Sequence, residues 1–190
     1  MARSDDLYTL PDGLPAPVDD GRCDHLPGTG LPAVALASTG GGTVDLSTVR
    51  GTVVVYCYPR TGRPDQPLVE GWNAIPGARG CTPQTCSFRD HHQEITELGA
   101  RVYGLSAQTA EDQAEMVERL RVPFDVLSDA GLAFARALAL PTFTVAGMTL
   151  IKRLTLIATG GTIDTVFYPV FPPDRNAGQV IGWLSENRRA

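Results

Sequence analysis

Residues 51–59 read Gly-Thr-Val-Val-Val-Tyr-Cys-Tyr-Pro, and this stretch decides the fold. It is a continuous run of β-branched and aromatic residues, which is typical of a strand buried on both faces of a sheet. A connection rich in proline and glycine then runs from Arg60 to Gly80. A loop of that length inside a compact domain usually has a function or packs on itself. The stretch therefore predicts a central strand that leads into a long loop.

Strands and helices alternate on both sides of this strand. Before it, two short alternating runs flank Gly40–Gly42 and predict a hairpin. After it, the pattern predicts a helix from Thr82 to Gly99, a strand at 100–106, a helix at 109–121, a strand at 123–129, a helix at 131–140, a hairpin of 150–161 with 162–170, and a final helix from 176. This alternation indicates an α/β fold with a central mixed sheet flanked by helices.

The chain divides into two parts by composition. Residues 1–31 repeat proline and glycine without apolar periodicity, so we expect an irregular N-terminal arm. Residues 32–190 carry the strand and helix patterns and form one domain, in which 60–80 is an inserted loop.

The charge excludes several kinds of partner. The 190 residues include 16 Lys and Arg against 21 Asp and Glu, a formal charge of −5, which argues against nucleic acids and anionic membranes. No apolar run approaches the roughly 18 residues that a membrane span needs. Asp5 and Asp6 stand where a signal peptide has basic and apolar residues. We expect a cytoplasmic protein.

Two of the four cysteines lie close together, in the sequence Gly80-Cys81-Thr82-Pro83-Gln84-Thr85-Cys86. The long loop brings Cys81 to the first turn of a helix. There, unpaired backbone N–H groups and the positive end of the helix dipole favour a thiolate. A thiolate is the nucleophile that attacks oxygen–oxygen and sulfur–sulfur bonds. Cys81 is therefore the candidate reactive residue.

A cation near Cys81 would complete such a site. Arg153 lies in the middle of a predicted strand between two apolar residues, an unusual place for an arginine unless it faces an anion. Arg89, on the same predicted helix as Cys81, is the competing candidate. The alternative interpretation makes Cys81 an inert helix-start residue and Arg153 a surface charge.

With these residues in place, the sequence resembles the peroxiredoxins, and among them the Q-type, bacterioferritin-comigratory-like group. The resemblance covers residues 33 to about 185, and five segments carry it: VVVYCYP at 53–59, GCTPQTCSFRD at 80–90, ELGARVYGLS at 97–106, VPFDVLSDAG at 122–131 and KRLTLIATGGTI at 152–163. It implies a thioredoxin-like fold and a thiol-dependent peroxidase of hydrogen peroxide or organic hydroperoxides.

The resemblance also implies roles for single residues. Cys81 matches the peroxidatic cysteine, Cys86 matches a resolving cysteine in the same helix, and Arg153 matches the arginine that holds the thiolate and the peroxide. Pro59, Gly80 and Thr82 would support the peroxide. A thioredoxin-like dithiol would restore the thiols, no metal or organic cofactor is implied, and the protein would be a monomer or a homodimer.

One departure separates this chain from the family pattern. The hydroxyl residue expected three positions before the peroxidatic cysteine is absent, because that position is Ala78. About 15 extra residues separate Pro59 from Cys81. Thr61 would supply the missing hydroxyl if the inserted loop folds out and back. Trp72 in the loop would either cap the site or anchor the loop.

The remaining chemical residues suggest weaker alternatives. His91 and His92 with the two cysteines do not have the spacing of a zinc site. Cys57 fits a small buried residue, and Cys23 is a bystander or a redox partner. At the level of function, the Ala78 departure leaves open a thiol–disulfide oxidoreductase, a tailoring enzyme or a redox sensor on the same fold.

Overall fold

A computed structural model describes residues 6–187 of the chain. Its strands are β1 (Ala35–Ser38), β2 (Thr43–Asp45), β3 (Thr52–Cys57), β4 (Ala100–Ser106), β5 (Val126–Ser128), β6 (Thr142–Val145), β7 (Met148–Ile151), β8 (Leu154–Thr159) and β9 (Thr162–Phe167). Its α-helices are α1 (Cys81–Asp90), α2 (His92–Glu97), α3 (Ala110–Leu120), α4 (Ala133–Ala137) and α5 (Asn176–Glu186).

The main sheet has seven strands in the order β2-β1-β5-β4-β3-β8-β9. Strands β3, β4 and β5 run parallel, while β8 pairs antiparallel to β3 and β9 antiparallel to β8. This is the predicted α/β arrangement with a mixed sheet, and the two hairpins at Gly40–Gly42 and Gly160–Gly161 are confirmed.

Strand β3 lies at the centre and is buried on both faces, as its sequence predicts. Val53, Val55 and Cys57 join one apolar cluster, and the alternate residues Val54 and Tyr56 join the other. Successive side chains of a strand point to opposite faces, so β3 separates the two halves of the core. Its carboxyl end, followed by Tyr58 and Pro59, opens into the inserted loop.

The predicted helix from Thr82 to Gly99 is two helices in the structure. It starts one residue earlier, at Cys81, and breaks at His91, whose φ of −100° and ψ of 8° leave the helical region. The ring nitrogen Nδ1 of His91 contacts the Ser87 carbonyl at 2.9 Å, which ties the break to the end of α1. The strand at 126–128 and the helix at 133–137 are shorter than predicted, because the residues at both predicted ends belong to loops.

The predicted long strand at 150–161 is also wrong. Residues 142–151 form a separate β6–β7 hairpin, and the chain then enters β8 in the main sheet. Lys152 and Arg153 lie between the two strands, and the Lys152 N–H donates to the Pro141 carbonyl at 2.8 Å. Arg153 therefore sits at a bend between two sheets, where its side chain turns inward.

The arm packs on the domain along the part that the structure describes. Leu7, Cys23 and Leu26 are buried, and Gly30 forms an isolated bridge with Thr162. The Lys152 ammonium pairs with the Asp20 carboxylate at 2.9 Å, and the Tyr168 hydroxyl donates a hydrogen bond to the same carboxylate. Together these two contacts lower the pKa of Asp20 to about 2. Within residues 6–187, no helix is long and apolar enough to cross a membrane.

Candidate active site

Cys81 is the first residue of α1 and is only 5% exposed. Gly80 before it has a φ of +106°, in the left-handed region that favours glycine. A Cβ at this position would overlap Pro173 and lie 2.8 Å from a methyl carbon of Leu10. Glycine is therefore required here both by the backbone angle and by the close approach of the arm and of the segment before α5.

Arg153 lies directly against Cys81. Its Nη2 donates to the Cys81 Sγ at 3.2 Å, and the Arg153 side chain is almost completely buried. The same guanidinium donates to the carbonyls of Gly77 (3.2 Å), Ala78 (3.0 Å) and Arg79 (3.3 Å). A buried cation in hydrogen-bond contact with sulfur favours the charged thiolate, because opposite charges attract strongly where water is excluded.

Gln84 connects the Arg153–Cys81 pair to the start of α5. Its Oε1 accepts a hydrogen bond from Arg153 Nη1, and its Nε2 donates to Asn176 Oδ1 at 3.0 Å. Thr155 Oγ1 donates to the same Asn176 oxygen at 2.6 Å. Neither Gln84 nor Asn176 is among the site residues predicted from the sequence. The three-residue spacing from Cys81 to Gln84 was the available signal, because residues three apart share one helix face.

A cavity of about 50 Å³ lies over Cys81. Thr61, Gly80 and Thr82 line it together with Cys81, and the Thr61 hydroxyl donates to the Gly62 carbonyl at 3.5 Å. The Thr61 backbone N–H donates to Gln108 Oε1 at 2.7 Å, which fixes that end of the loop. Pro59 instead borders a second, apolar cavity of about 390 Å³, which Arg153 also lines.

Ala78, which replaces the expected hydroxyl residue, contributes its main chain. It is completely buried, and its carbonyl accepts from Arg153 and, at 3.7 Å, from the Cys81 thiol. The sulfur thus has a polar neighbour at this position although the side chain carries no hydroxyl.

The inserted loop both covers the cavity and is anchored. Trp72, in a short 3₁₀ helix at Trp72–Ala74, lines the cavity and packs on Phe143 of β6 with ring centroids 6.2 Å apart. Arg60 donates to the Met148 sulfur at 3.0 Å, and Arg79 donates to the Asp6 carbonyl at 2.5 Å. Both arginines also line the cavity, so its wall is basic as well as apolar.

The other cysteines have different surroundings. Cys86 is half-buried on α1, and burial raises its pKa. Burial raises the pKa of Cys23 to about 12, with Asp20 adding to the effect, and raises that of Cys57 further. Cys23 and Cys57 belong to the core on the opposite face of β3, whereas Cys81 and Cys86 lie on the α1 side.

Arg89 and the two histidines lie away from Cys81. Arg89 pairs with Asp90 at 2.8 Å and donates to the Leu120 carbonyl at 2.9 Å. His91 is held by the Ser87 carbonyl, and the His92 ring lies 5.4 Å from that of Phe124. Of the two candidate cations, the structure brings Arg153 to the thiol.

Two known proteins illustrate what this chain is similar to in sequence. Peroxiredoxin Q of rice, a chloroplastic protein, is 27% identical over 155 residues, which cover 81% of this chain and 64% of the rice protein. Peroxiredoxin Bcp of Bacillus subtilis is 32% identical over 103 residues, covering 54% of this chain and 56% of that one. The chain thus spans less than two thirds of the length of these relatives.

The solved structures agree in fold. Peroxidoxin BcpB of Mycobacterium tuberculosis matches with a TM-score of 0.71 and 26% identity, over 87% of this chain and all of that one. Peroxiredoxin Q of Xanthomonas campestris matches with a TM-score of 0.65 at 20% identity, over 92% of this chain and 98% of that one. These matches confirm the thioredoxin-like fold. The family model described as Redoxin matches residues 26–181. The chain therefore belongs to the redoxin family, and its relatives within that family are the Q-type and Bcp-type peroxiredoxins.

Proposed function

We propose that the protein is a thiol peroxidase in which Cys81 reduces peroxides. The observation that carries this proposal is the contact of Arg153 Nη2 with the Cys81 Sγ, 3.2 Å apart at the buried start of α1. A cation and a helix N-terminus both lie at the Cys81 sulfur, at the base of a cavity, and a cysteine that attacks peroxides needs such surroundings.

The first step breaks the oxygen–oxygen bond. The Cys81 thiolate attacks the terminal oxygen of the peroxide, a sulfur–oxygen bond forms, and the departing alkoxide or hydroxide takes a proton to leave as an alcohol or water. Sulfur is oxidised to sulfenic acid by two electrons. The N–H groups of the first turn of α1 border the cavity and stabilise the negative charge that builds on the oxygens, while Arg153 acts on the sulfur itself through its hydrogen bond to Sγ.

The second step joins Cys81 to Cys86 and needs a change in α1. Residues five apart in a helix have Cα atoms roughly 8–9 Å apart, from a rise of about 1.5 Å and a turn of about 100° per residue. A disulfide requires about 7 Å or less. The first turns must therefore unwind before the Cys86 sulfur displaces water from the sulfenic acid. A thioredoxin-like dithiol then supplies two electrons and returns both thiols.

The alternative is a thiol–disulfide oxidoreductase, a tailoring enzyme or a redox sensor on the same fold, with weak peroxidase activity. The loss of the hydroxyl at Ala78 is the feature that favours it. Against it stands the setting of Cys81, which is almost fully buried beneath a small cavity. A protein disulfide is far bulkier than a peroxide and has to reach the sulfur to exchange with it.

The test is peroxide consumption by the parent and by the Cys81→Ser variant, with dithiothreitol as the reductant. We expect the variant to lose consumption, because burial raises the pKa of each of the other three cysteines, Cys23, Cys57 and Cys86. Reduction of insulin disulfides serves as the parallel assay. Turnover of insulin without peroxide consumption would establish the alternative.

A further inference from the structure

The cavity over Cys81 is small. Its volume is about 50 Å³, and one water needs about 10–15 Å³ of such space. A molecule of the size of hydrogen peroxide fits, with the terminal oxygen at the sulfur. An aryl or tertiary alkyl group does not fit in this volume together with the peroxide, so it would have to lie at the mouth of the cavity, against the side chains that bound it.

Apolar residues from two segments form part of the wall, and Pro67 and Val69 of the inserted loop are among them. Leu7 comes from the N-terminal arm, and Leu68 and Trp72 come from the inserted loop. Without the roughly 15 inserted residues, Leu68 and Trp72 would not be there, so the loop that departs from the family pattern is also the one that narrows this cavity.

Packing and hydrogen bonds hold this wall in place. Trp72 is buried in a cluster with Ala78 and Leu150, and side chains of the β6–β7 hairpin pack against that cluster. Arg79 ties the arm to the site through the Asp6 carbonyl. Moving the wall aside for a larger substrate would expose the buried indole and break this bond, so a bulky group is excluded rather than accommodated.

The larger apolar cavity does not offer space for the organic group of a substrate bound at Cys81. Its volume is about 390 Å³, and Ile75, Pro59 and Arg153 are among its lining residues. Among the residues that the structure describes, Cys81 and the 68–72 part of the loop line the small cavity and not the large one. The Arg153 guanidinium, which contacts the Cys81 sulfur, lies between that sulfur and the large cavity, so an organic group would have to pass it to enter there.

We propose that Leu68 and Trp72 of the inserted loop, together with Leu7, act as a size filter that admits hydrogen peroxide and excludes bulky organic hydroperoxides from Cys81. This inference rests on the proposed peroxidase function and narrows its substrate class. Leu68 and Trp72 are specificity-determining residues in this sense, because they bound the space that the organic group of a substrate would occupy.

The experiment measures kcat/KM for hydrogen peroxide, tert-butyl hydroperoxide and cumene hydroperoxide, with dithiothreitol as the reductant for all three. For the parent we expect the value for cumene hydroperoxide to be at least tenfold below that for hydrogen peroxide. The Leu68→Ala variant should raise the cumene-to-hydrogen-peroxide ratio at least fivefold, because it removes a partly buried wall residue and enlarges the cavity.

Ile75→Ala is the matched control. Ile75 is in the same loop and packs on the same apolar cluster as Leu68, but it lines the large cavity instead. Its truncation should leave the ratio of the parent unchanged. A general loosening of the loop would raise the ratio in both variants and would overturn the filter.

The remaining outcomes separate the two proposals. Equal kcat/KM values for hydrogen peroxide and cumene hydroperoxide in the parent would overturn the size filter and leave the peroxidase proposal standing. If none of the three peroxides is consumed, and mass spectrometry finds no oxidised Cys81 after exposure to any of them, the peroxidase proposal fails and the filter falls with it.

Discussion

The Arg153 guanidinium donates hydrogen bonds both to the Cys81 sulfur and to the main-chain carbonyls of residues 77–79. It therefore has a chemical and a mechanical part in the proposed reaction. Its charge favours the thiolate, and its hydrogen bonds hold the end of the inserted loop against the start of α1. The tests of single residues have to separate these two effects.

Replacing Arg153 with methionine should slow the reaction of Cys81 with hydrogen peroxide about tenfold or more, because a nearby opposite charge favours the charged form of a group. Alkylation of Cys81 by iodoacetamide should also be slower in the variant than in the parent. Both are measured with Arg89→Met as the control, since Arg89 pairs with Asp90 away from the site. An alkylation profile identical to that of the parent would contradict the role of Arg153.

Thr61 is the residue proposed to supply the hydroxyl that Ala78 lacks. The Thr61→Val variant should slow peroxide reduction about tenfold, the loss expected for one hydrogen bond to a charged group. Thr82→Val is the matched control, because Thr82 lines the same cavity on the helix side. Small and equal effects in a stopped-flow measurement would mean that backbone N–H groups orient the peroxide alone.

Helix α1 has two opposed tasks in the proposed cycle. Folded, it places Cys81 against Arg153; unfolded, it lets Cys81 meet Cys86. The contacts that must open include the Gln84 N–H to the Gly80 carbonyl at 3.0 Å and the bonds of the Gln84 side chain to Arg153 and Asn176. Pro83 makes opening easier, since proline donates no backbone hydrogen bond.

The Cys86→Ser variant tests this cycle at the level of the helix. It should consume little peroxide with a thioredoxin-type donor and should accumulate sulfinic acid at Cys81, because an unresolved sulfenic acid reacts with a second peroxide. Mass spectrometry of the tryptic peptide measures the product. Normal donor-coupled turnover would remove Cys86 from the resolving role.

The pH dependence of the resolving step follows from the burial of Cys86. Burial in the folded α1 raises its pKa, so less thiolate is present at neutral pH than for a free thiol until the helix unwinds. In the parent, disulfide formation after one equivalent of peroxide should therefore accelerate as the pH rises through and above the ordinary thiol range of about 8.5.

Substitution of Gly80 tests how much the tight packing at the start of α1 contributes to stability. Gly80→Ala should lower the free energy of unfolding by about 2–4 kcal/mol, which combines the left-handed backbone with the overlap against Pro173 and Leu10. Gly71→Ala is the control, since Gly71 has a φ of +73° with open space around it, and it should cost only about 1–2 kcal/mol. Equal losses in urea denaturation would show that the overlap is relieved cheaply.

At the scale of the whole molecule, periodicity and turn residues were enough for the main sheet. The buried run of β3 and the glycines at 40–42 and 160–161 predict strands and turns that the structure contains. Thr109 also caps α3 as its sequence suggests, accepting a hydrogen bond from the Asp112 N–H at 3.2 Å. These features depend on residues near in sequence, so local patterns reveal them.

Two features that the sequence did not predict are the β6–β7 hairpin and the contact of Gln84 with Asn176. They depend on an unusual turn sequence and on residues far apart in the chain. The β6–β7 hairpin turns at Ala146 and Gly147, with φ values of 47° and 76°. Such turns usually carry Asn-Gly or Asp-Gly, and alanine gives no such signal. The contact of Gln84 with Asn176 joins residues 92 positions apart, so only the folded chain makes it visible.

The order in which the chain is synthesised has a consequence for the site. Arg153 follows Cys81 by 72 residues, and Pro173 and Asn176 come later still. While the chain grows from the ribosome, Cys81 is present long before its cation and the residues that pack behind its helix. The reactivity proposed for Cys81 can therefore arise only when the last strands and α5 have been made and folded.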